Sequence, residues 1–215
     1  MTDHSALLVL DNICKSFGRK QVFNEFSHSF LPGCYALAGP NGVGKSTLLS
    51  LISGSVAMDS GHVSICGADL QSKPVAAKKV MAFVPDISVM FPFMTGHEFI
   101  SLVSKIRKIK DSSETEKLLS VFRLDPHISK PFSDISLGTQ KKIMIVAALM
   151  GDAAVLLMDE PTNAIDDDAK SVLIDYLHSA RARKVILCST HDEDFMSRLN
   201  MEKLKLSGDV SVGFS

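Results

Sequence analysis

Gly39-Pro40-Asn41-Gly42-Val43-Gly44-Lys45-Ser46-Thr47 follows the apolar run Cys34-Tyr35-Ala36-Leu37-Ala38 and leads into Leu48-Leu49-Ser50-Leu51-Ile52. The order reads as strand, loop, helix, the setting in which a glycine-rich loop wraps a polyphosphate. Gly39, Gly42 and Gly44 permit backbone conformations that larger residues resist, so several N–H groups can converge on phosphate oxygens. The positive end of the following helix adds to the attraction. Lys45 is placed to reach the β- and γ-phosphates as a point charge, and the Ser46 hydroxyl to ligate Mg²⁺. The stretch reads as a nucleotide site in an α/β protein.

Working outward, a chain of 215 residues with 46% hydrophobic and 22% charged residues has the composition of a globular unit rather than a disordered one. The net charge of -1 gives no bulk attraction to nucleic acid, and no nucleic-acid partner is expected. The start lacks a basic n-region, and the apolar residues 6–10 are too short for a signal peptide. The longest apolar run, residues 143–158, is broken by Gly151-Asp152 and falls short of the roughly 20 residues of a membrane span. Cys14, Cys34, Cys66 and Cys188 are scattered without a C-x-x-C pair, which suits reduced thiols.

Along the chain, residues 7–10 and 22–30 read as strands separated by a turn around Gly18-Arg19-Lys20. Phe17, just before that turn, either stacks on an adenine ring or packs at the strand end. Strands are expected again at 62–66 and 80–84, the latter closed by Pro85-Asp86. The pattern then turns helical. Phe99, Ile100, Val103 and Ile106 form a stripe over 96–108, and residues 113–122 follow the same period. The cations Lys105, Arg107, Lys108 and Lys110 read as a solvated face near the end of the first of these helices. A helix over 141–150 precedes Ala153-Ala154-Val155-Leu156-Leu157-Met158, apolar at every position and so suited to a parallel sheet covered on both faces. Asp166-Asp167-Asp168 opens a helix through Leu177, and residues 184–189 form another buried strand.

The strand at 153–158 ends in Asp159-Glu160. Asp159 can hold Mg²⁺ opposite Ser46. Glu160 is placed to polarise the attacking water. His191, at the tip of the 184–189 strand, would reach the γ-phosphate and the same water.

With these motifs in view, the chain resembles the ATP-binding subunit of an ABC transporter, over about residues 7–206. Phe17 matches the aromatic A-loop position and residues 39–47 the Walker A loop. Asp86 lies at the Q-loop position, and Ile135-Ser136-Leu137-Gly138-Thr139 at the signature motif. Asp159 and Glu160 match Walker B, Asn163-Ala164-Ile165-Asp166 the D-loop, and His191 the switch histidine. The resemblance implies a P-loop NTPase of the ABC ATPase type: a mostly parallel central sheet, an antiparallel β-subdomain and a helical subdomain. The whole of 1–215 is then one ABC ATPase domain, with a core at 7–86 and 153–206 and the helical subdomain at about 87–152.

The resemblance further implies that ATP and Mg²⁺ bind between two ATPase subunits, alike or different. Ser136 and Gly138 would contact the γ-phosphate held by the other subunit. Closure would drive a separately encoded polytopic permease, with this chain peripheral on the cytoplasmic face of the cell membrane. The subclass resembled is the exporter branch for drugs, peptides and bacteriocin immunity. Apolar residues 87–96 would receive the permease's coupling helix, with Phe91, Phe93 and Met94 partly exposed. The short tail after Leu206 leaves no room for a sizeable regulatory domain.

Two positions depart from the family pattern. Asp86 replaces a glutamine with a shorter, charged group that could still reach Mg²⁺ or the lytic water. The signature carries Leu137 and Thr139 where glycine and glutamine are usual, with Gln140 adjacent. These departures keep open a weakly hydrolysing regulatory subunit. A non-transport ABC ATPase is the other alternative, although neither a second cassette nor a long coiled coil is present.

Overall fold

The computed structural model describes residues 6–86, 91–206 and 213–214. The amino-terminal strands β1 (Leu8–Phe17) and β2 (Lys20–Phe30) pair as an antiparallel hairpin, with Gly18 at φ 60 in its two-residue turn. β4 (Ser60–Ile65) pairs with the other edge of β1, and β5 (Ala68–Asp69) with β4, giving the order β2-β1-β4-β5. β3 (Gly33–Ala38) leaves this sheet and founds a second one. There it joins β6 (Met81–Val84), β7 (Val155–Asp159), β8 (Val185–Ser189), β9 (Glu202–Lys205) and β10 (Gly213–Phe214). The order is β10-β9-β3-β8-β7-β6, parallel throughout except for β10.

Every residue of β7 and β8 is buried, and their alternation decides which core each side chain joins. Leu156, Met158, Ile186 and Cys188 face a cluster built with the helices. Val155, Leu157, Val185 and Leu187 face a second cluster, shared with the antiparallel sheet and with α1 (Lys45–Ser53). Strands apolar at every position but their last thus serve two cores at once. Their C-terminal ends converge on one edge, where β3 runs into the glycine loop and β7 into Asp159.

The helices between β6 and β7 are α3 (Gly96–Arg107), α4 (Ser113–Val121) and α5 (Leu137–Leu149), with a 3₁₀ turn at Phe132–Asp134. α2 (Pro74–Lys79) precedes β6, α6 (Asp167–Ala180) lies between β7 and β8, and α7 (Glu193–Arg198) precedes β9. α3 starts in a capping box: the Glu98 backbone N–H donates to Thr95 Oγ1 at 3.1 Å, and the Thr95 backbone N–H donates to Glu98 at 2.8 Å.

Several expectations are corrected. α5 begins at Leu137 rather than residue 141, because Ser136 caps it by accepting from the Thr139 N–H at 3.2 Å. On α3, Ile100 is buried and Phe99 and Val103 pack on the core, but Ile106 is 69% exposed and leaves the stripe. Arg107 is not part of a solvated face. Its guanidinium donates to the carbonyls of Ala147, Ala148 and Met150 at 2.9–3.4 Å, and to that of Met81 at 3.4 Å. It therefore terminates α5, whose last carbonyls lack intrahelical partners, and ties α3 to β6. Burial pulls its pKa down from the usual arginine value. Residues 87–90 of the expected apolar segment lie outside the described residues.

Removing the guanidinium leaves up to four carbonyls short of a donor. Arg107→Ala is expected to lower unfolding stability by roughly 2 kcal/mol in urea titration; a loss below about 0.5 kcal/mol would show that solvent replaces the contacts.

Candidate functional site

The glycine loop is shaped by close approaches. Gly39 (φ 149) passes so near β9's end that a Cβ there would lie 2.7 Å from the Leu206 carbonyl oxygen. A Cβ on Gly44 (φ 116) would meet Val22 Cγ1 at 2.7 Å. Gly44 is the N-cap of α1, and no side chain caps that helix, so its first N–H groups face the loop's concavity. Lys45 is buried, and its ammonium donates to the carbonyls of Gly39 at 2.7 Å and Pro40 at 3.3 Å.

Beside the loop lies a cleft of about 370 Å³. It gathers most of the residues singled out in the sequence: Phe17, Asn41, Gly42, Gly44, Lys45, Ser46, Thr47, Asp86, Asp159, Glu160 and His191. Lys20, Val22 and Ser189 line it as well. Gly39, Pro40 and Val43 belong to the loop without lining the cleft, and Ser136 and Gly138 lie outside it. Phe17 is half exposed rather than packed away, with the Lys15 ammonium 5.1 Å from its ring centroid.

Asp159 is buried at the end of β7 and accepts hydrogen bonds from Ser46 Oγ, at 3.1 Å, and from Ser189 Oγ. A hydroxyl and a carboxylate side by side are hard oxygen donors, and Mg²⁺ binds through one or two such groups together with substrate phosphates. Ser46 and Asp159 therefore fit the metal.

The register Asp159↔Ser189 sets the next residue. The Glu160 N–H donates to the Ser189 carbonyl at 2.9 Å and to its hydroxyl at 3.1 Å, which holds Glu160 in the left-handed region at φ 45. Its carboxylate, 17% exposed, stands 3.6 Å from His191 Nε2. Asp192 caps α7 and, with Asp194, flanks Lys170 at 2.7 and 2.9 Å, fixing the segment that carries His191. The hydrogen bonds it donates to those two carboxylates raise the Lys170 pKa.

The signature segment turns inward. Thr139 is buried, with its hydroxyl 2.9 Å from Ser136 Oγ. Gln140 does not stand in for a polar contact here, because its side-chain amide donates to the carbonyls of Phe132 at 2.8 Å and Ile135 at 3.3 Å. Leu137 is 71% exposed at the tip of α5. Asp86 Oδ1 accepts from Asn163 Nδ2 at 3.2 Å, joining two segments far apart in sequence. Sequence reasoning overlooked Lys20, Ser189 and Lys141. Only Ser189 carried a signal, a hydroxyl ending an apolar strand next to Thr190-His191.

The family model described as "ABC transporter" matches residues 25–163. The chain belongs to the ABC transporter family. Among its relatives, the Nod factor export ATP-binding protein I of Rhizobium etli is 30% identical over 206 residues, covering 94% of this chain and 65% of that protein. The linearmycin resistance ATP-binding protein of Bacillus subtilis is 31% identical over 173 residues, covering 79% of this chain and 56% of its own length. The chain thus spans just under two thirds of the first relative and little more than half of the second. A solved structure of the ATP-binding subunit of an ABC transporter is 26% identical, with a TM-score of 0.86 over 97% of this chain and 90% of that one.

Within this ABC fold, a Cβ on Gly138 would lie 2.2 Å from the Ala164 carbonyl oxygen, a backbone atom that cannot swing away. Gly138→Ala is expected to push α5 off the 163–166 loop and cost about 1–3 kcal/mol in thermal or denaturant unfolding. An unchanged midpoint would show that the contact is slack.

Proposed function

We propose that this chain is the ATP-binding and ATP-hydrolysing subunit of an exporter-type ABC transporter. One observation carries the reading: a phosphate-type loop, the Ser46–Asp159 pair and the Glu160–His191 pair, drawn from three separate segments, open into a single cleft. Phe17 offers an aromatic face to the adenine at one end, and the glycine loop takes the phosphates at the other. Bound Mg²⁺, held by Ser46 and Asp159, would draw charge from the β- and γ-phosphate oxygens. Glu160 accepts the proton of the attacking water as its oxygen bonds to the γ-phosphorus and the bond to the β–γ bridging oxygen breaks. His191 steadies the γ-phosphate and the same water.

In this reading residues 7–86 and 153–206 carry the nucleotide, and residues 87–152 form the lobe that turns toward partners. A second cassette would close over the ATP, presenting its counterpart of Ser136, Gly138 and the α5 N-terminus. The permease would be a separate polytopic chain. Among the described residues no helix is long and apolar enough to cross a membrane. Phe91 and Phe93 support a docking face: they are 62% and 76% exposed, and their rings lie 5.7 Å apart. Met94, by contrast, packs partly on the core. The chain would sit on the cytoplasmic face of the membrane.

A regulatory subunit of low turnover is the second reading, favoured by the inward-turned Thr139 and by Asp86 bonded to Asn163.

Two tests follow. Glu160→Gln is expected to bind Mg-ATP and accumulate as an ATP-bound dimer in analytical ultracentrifugation, with turnover down about a hundredfold or more. A monomer at saturating Mg-ATP would overturn both the closure and the role given to Glu160. Phe91→Glu should abolish co-purification of the permease while leaving nucleotide affinity within about threefold; unchanged co-purification would place the docking face elsewhere.

A further inference from the structure

Lys141 is 2% exposed, yet it is a lysine on a helix whose other buried positions are apolar apart from Thr139. Its ammonium points at the C-terminal ends of two adjacent strands. It donates to the carbonyls of Pro85 at 2.8 Å and Asp86 at 3.2 Å, just beyond β6, and of Asp159 at 3.0 Å, the last residue of β7. Three carbonyls match the three N–H donors of an ammonium. Asp86 Oδ1 lies 4.0 Å away. Burial lowers the Lys141 pKa, while the charges of Asp86, Asp159 and Glu160 pull it back up. The neighbouring Lys142 holds Asp166 at 3.0 Å, and Gly138 abuts Ala164, so the opening turns of α5 grip the loop beyond β7 at further points.

An apolar side chain of similar length would fill this volume without the desolvation cost of a buried charge. What the ammonium adds is geometry and sign. It pins the Asp86 backbone to that of Asp159, and it supplies positive charge where carboxylates crowd. We propose that Lys141 is a positioning residue for hydrolysis, setting the distance between Asp86 and the Asp159-Glu160 pair and offsetting their charge. Asp86, the departure from the family pattern, is thereby matched by a cation within its own subunit. The proposal rests on the cleft being an ATP-hydrolysing site.

The test separates binding from turnover in Lys141→Met, Lys141→Gln and Lys141→Arg. Affinity is read with a fluorescent mant-ATP and Mg²⁺, folding by thermal unfolding, and turnover both in the purified chain and in host membranes. The methionine variant is expected to bind mant-ATP within about threefold of the unmodified chain, with KM little changed and kcat down roughly tenfold or more. Arginine, which keeps the charge and donors, should recover a good part of that loss. In the background of Lys141→Met, Asp86→Asn should change kcat less than it does alone, by about threefold or more.

Unchanged kcat in a folded methionine or glutamine variant overturns the proposal. Equal losses in affinity and kcat, or effects of the two sites that simply multiply, overturn it as well. If the methionine and glutamine variants both fail to fold, the role is structural and the proposal falls. Failure of the unmodified chain to bind mant-ATP, or to turn over ATP in either setting, would instead overturn the reading of the cleft itself.

Discussion

The parallel pairing of β7 with β8 governs the arrangement of the site. Asp159 lies opposite Ser189, and that one register places the carboxylate expected to hold the metal, the Glu160 carboxylate and His191 at the same sheet edge. A slip of one residue would invert the alternation of Val155, Leu156, Leu157 and Met158 between the two cores. Burying both faces therefore does more than stabilise the sheet: it fixes the register, and the register fixes the geometry of the cleft. The hydrogen bonds that the Glu160 N–H donates to Ser189 show how tightly this is drawn, since they hold a non-glycine residue at positive φ.

The second constraint is how the helices are joined to that edge. Arg107 reaches carbonyls at the end of α5 and at Met81, and Lys141 reaches those beyond β6 and at the end of β7. Both are long cations satisfied chiefly by backbone oxygens. Such contacts are strongly directional, whereas apolar packing tolerates small slides. Within the broad apolar contact between helices and sheet, these cations thus fix specific points. Gly138 adds another, where the absence of a side chain lets α5 close on Ala164.

Much of this was legible in the sequence where the signal is local. The glycine loop is marked by spacing alone, and the strands at 153–158 and 184–189 by unbroken apolar runs, because a covered parallel strand has no polar face to display. Arg107 and Lys141 were not legible, because a buried cation is identified by carbonyls distant in sequence, and its own neighbourhood looks like any helix. The start of α5 was hidden by Gly138, a poor helix former at a place where the close approach of Ala164 leaves no room for a side chain. β5 has only two residues, β9 is three charged residues and one leucine, and α7 has six residues; each takes its conformation from neighbours rather than from propensity.

The cleft draws its walls from both sheets: Phe17, Lys20 and Val22 come from the antiparallel hairpin, and the glycine loop from the end of parallel β3. Any molecule that touches both walls acts as a reversible clasp between two sheets that already share one core. By mass action, a ligand at about a hundred times its Kd adds about 2.7 kcal/mol to the cohesion of whatever it spans. The hairpin's hold on the rest of the domain would then rise and fall with occupancy, and each release would loosen the seam between the sheets as well as free the cleft.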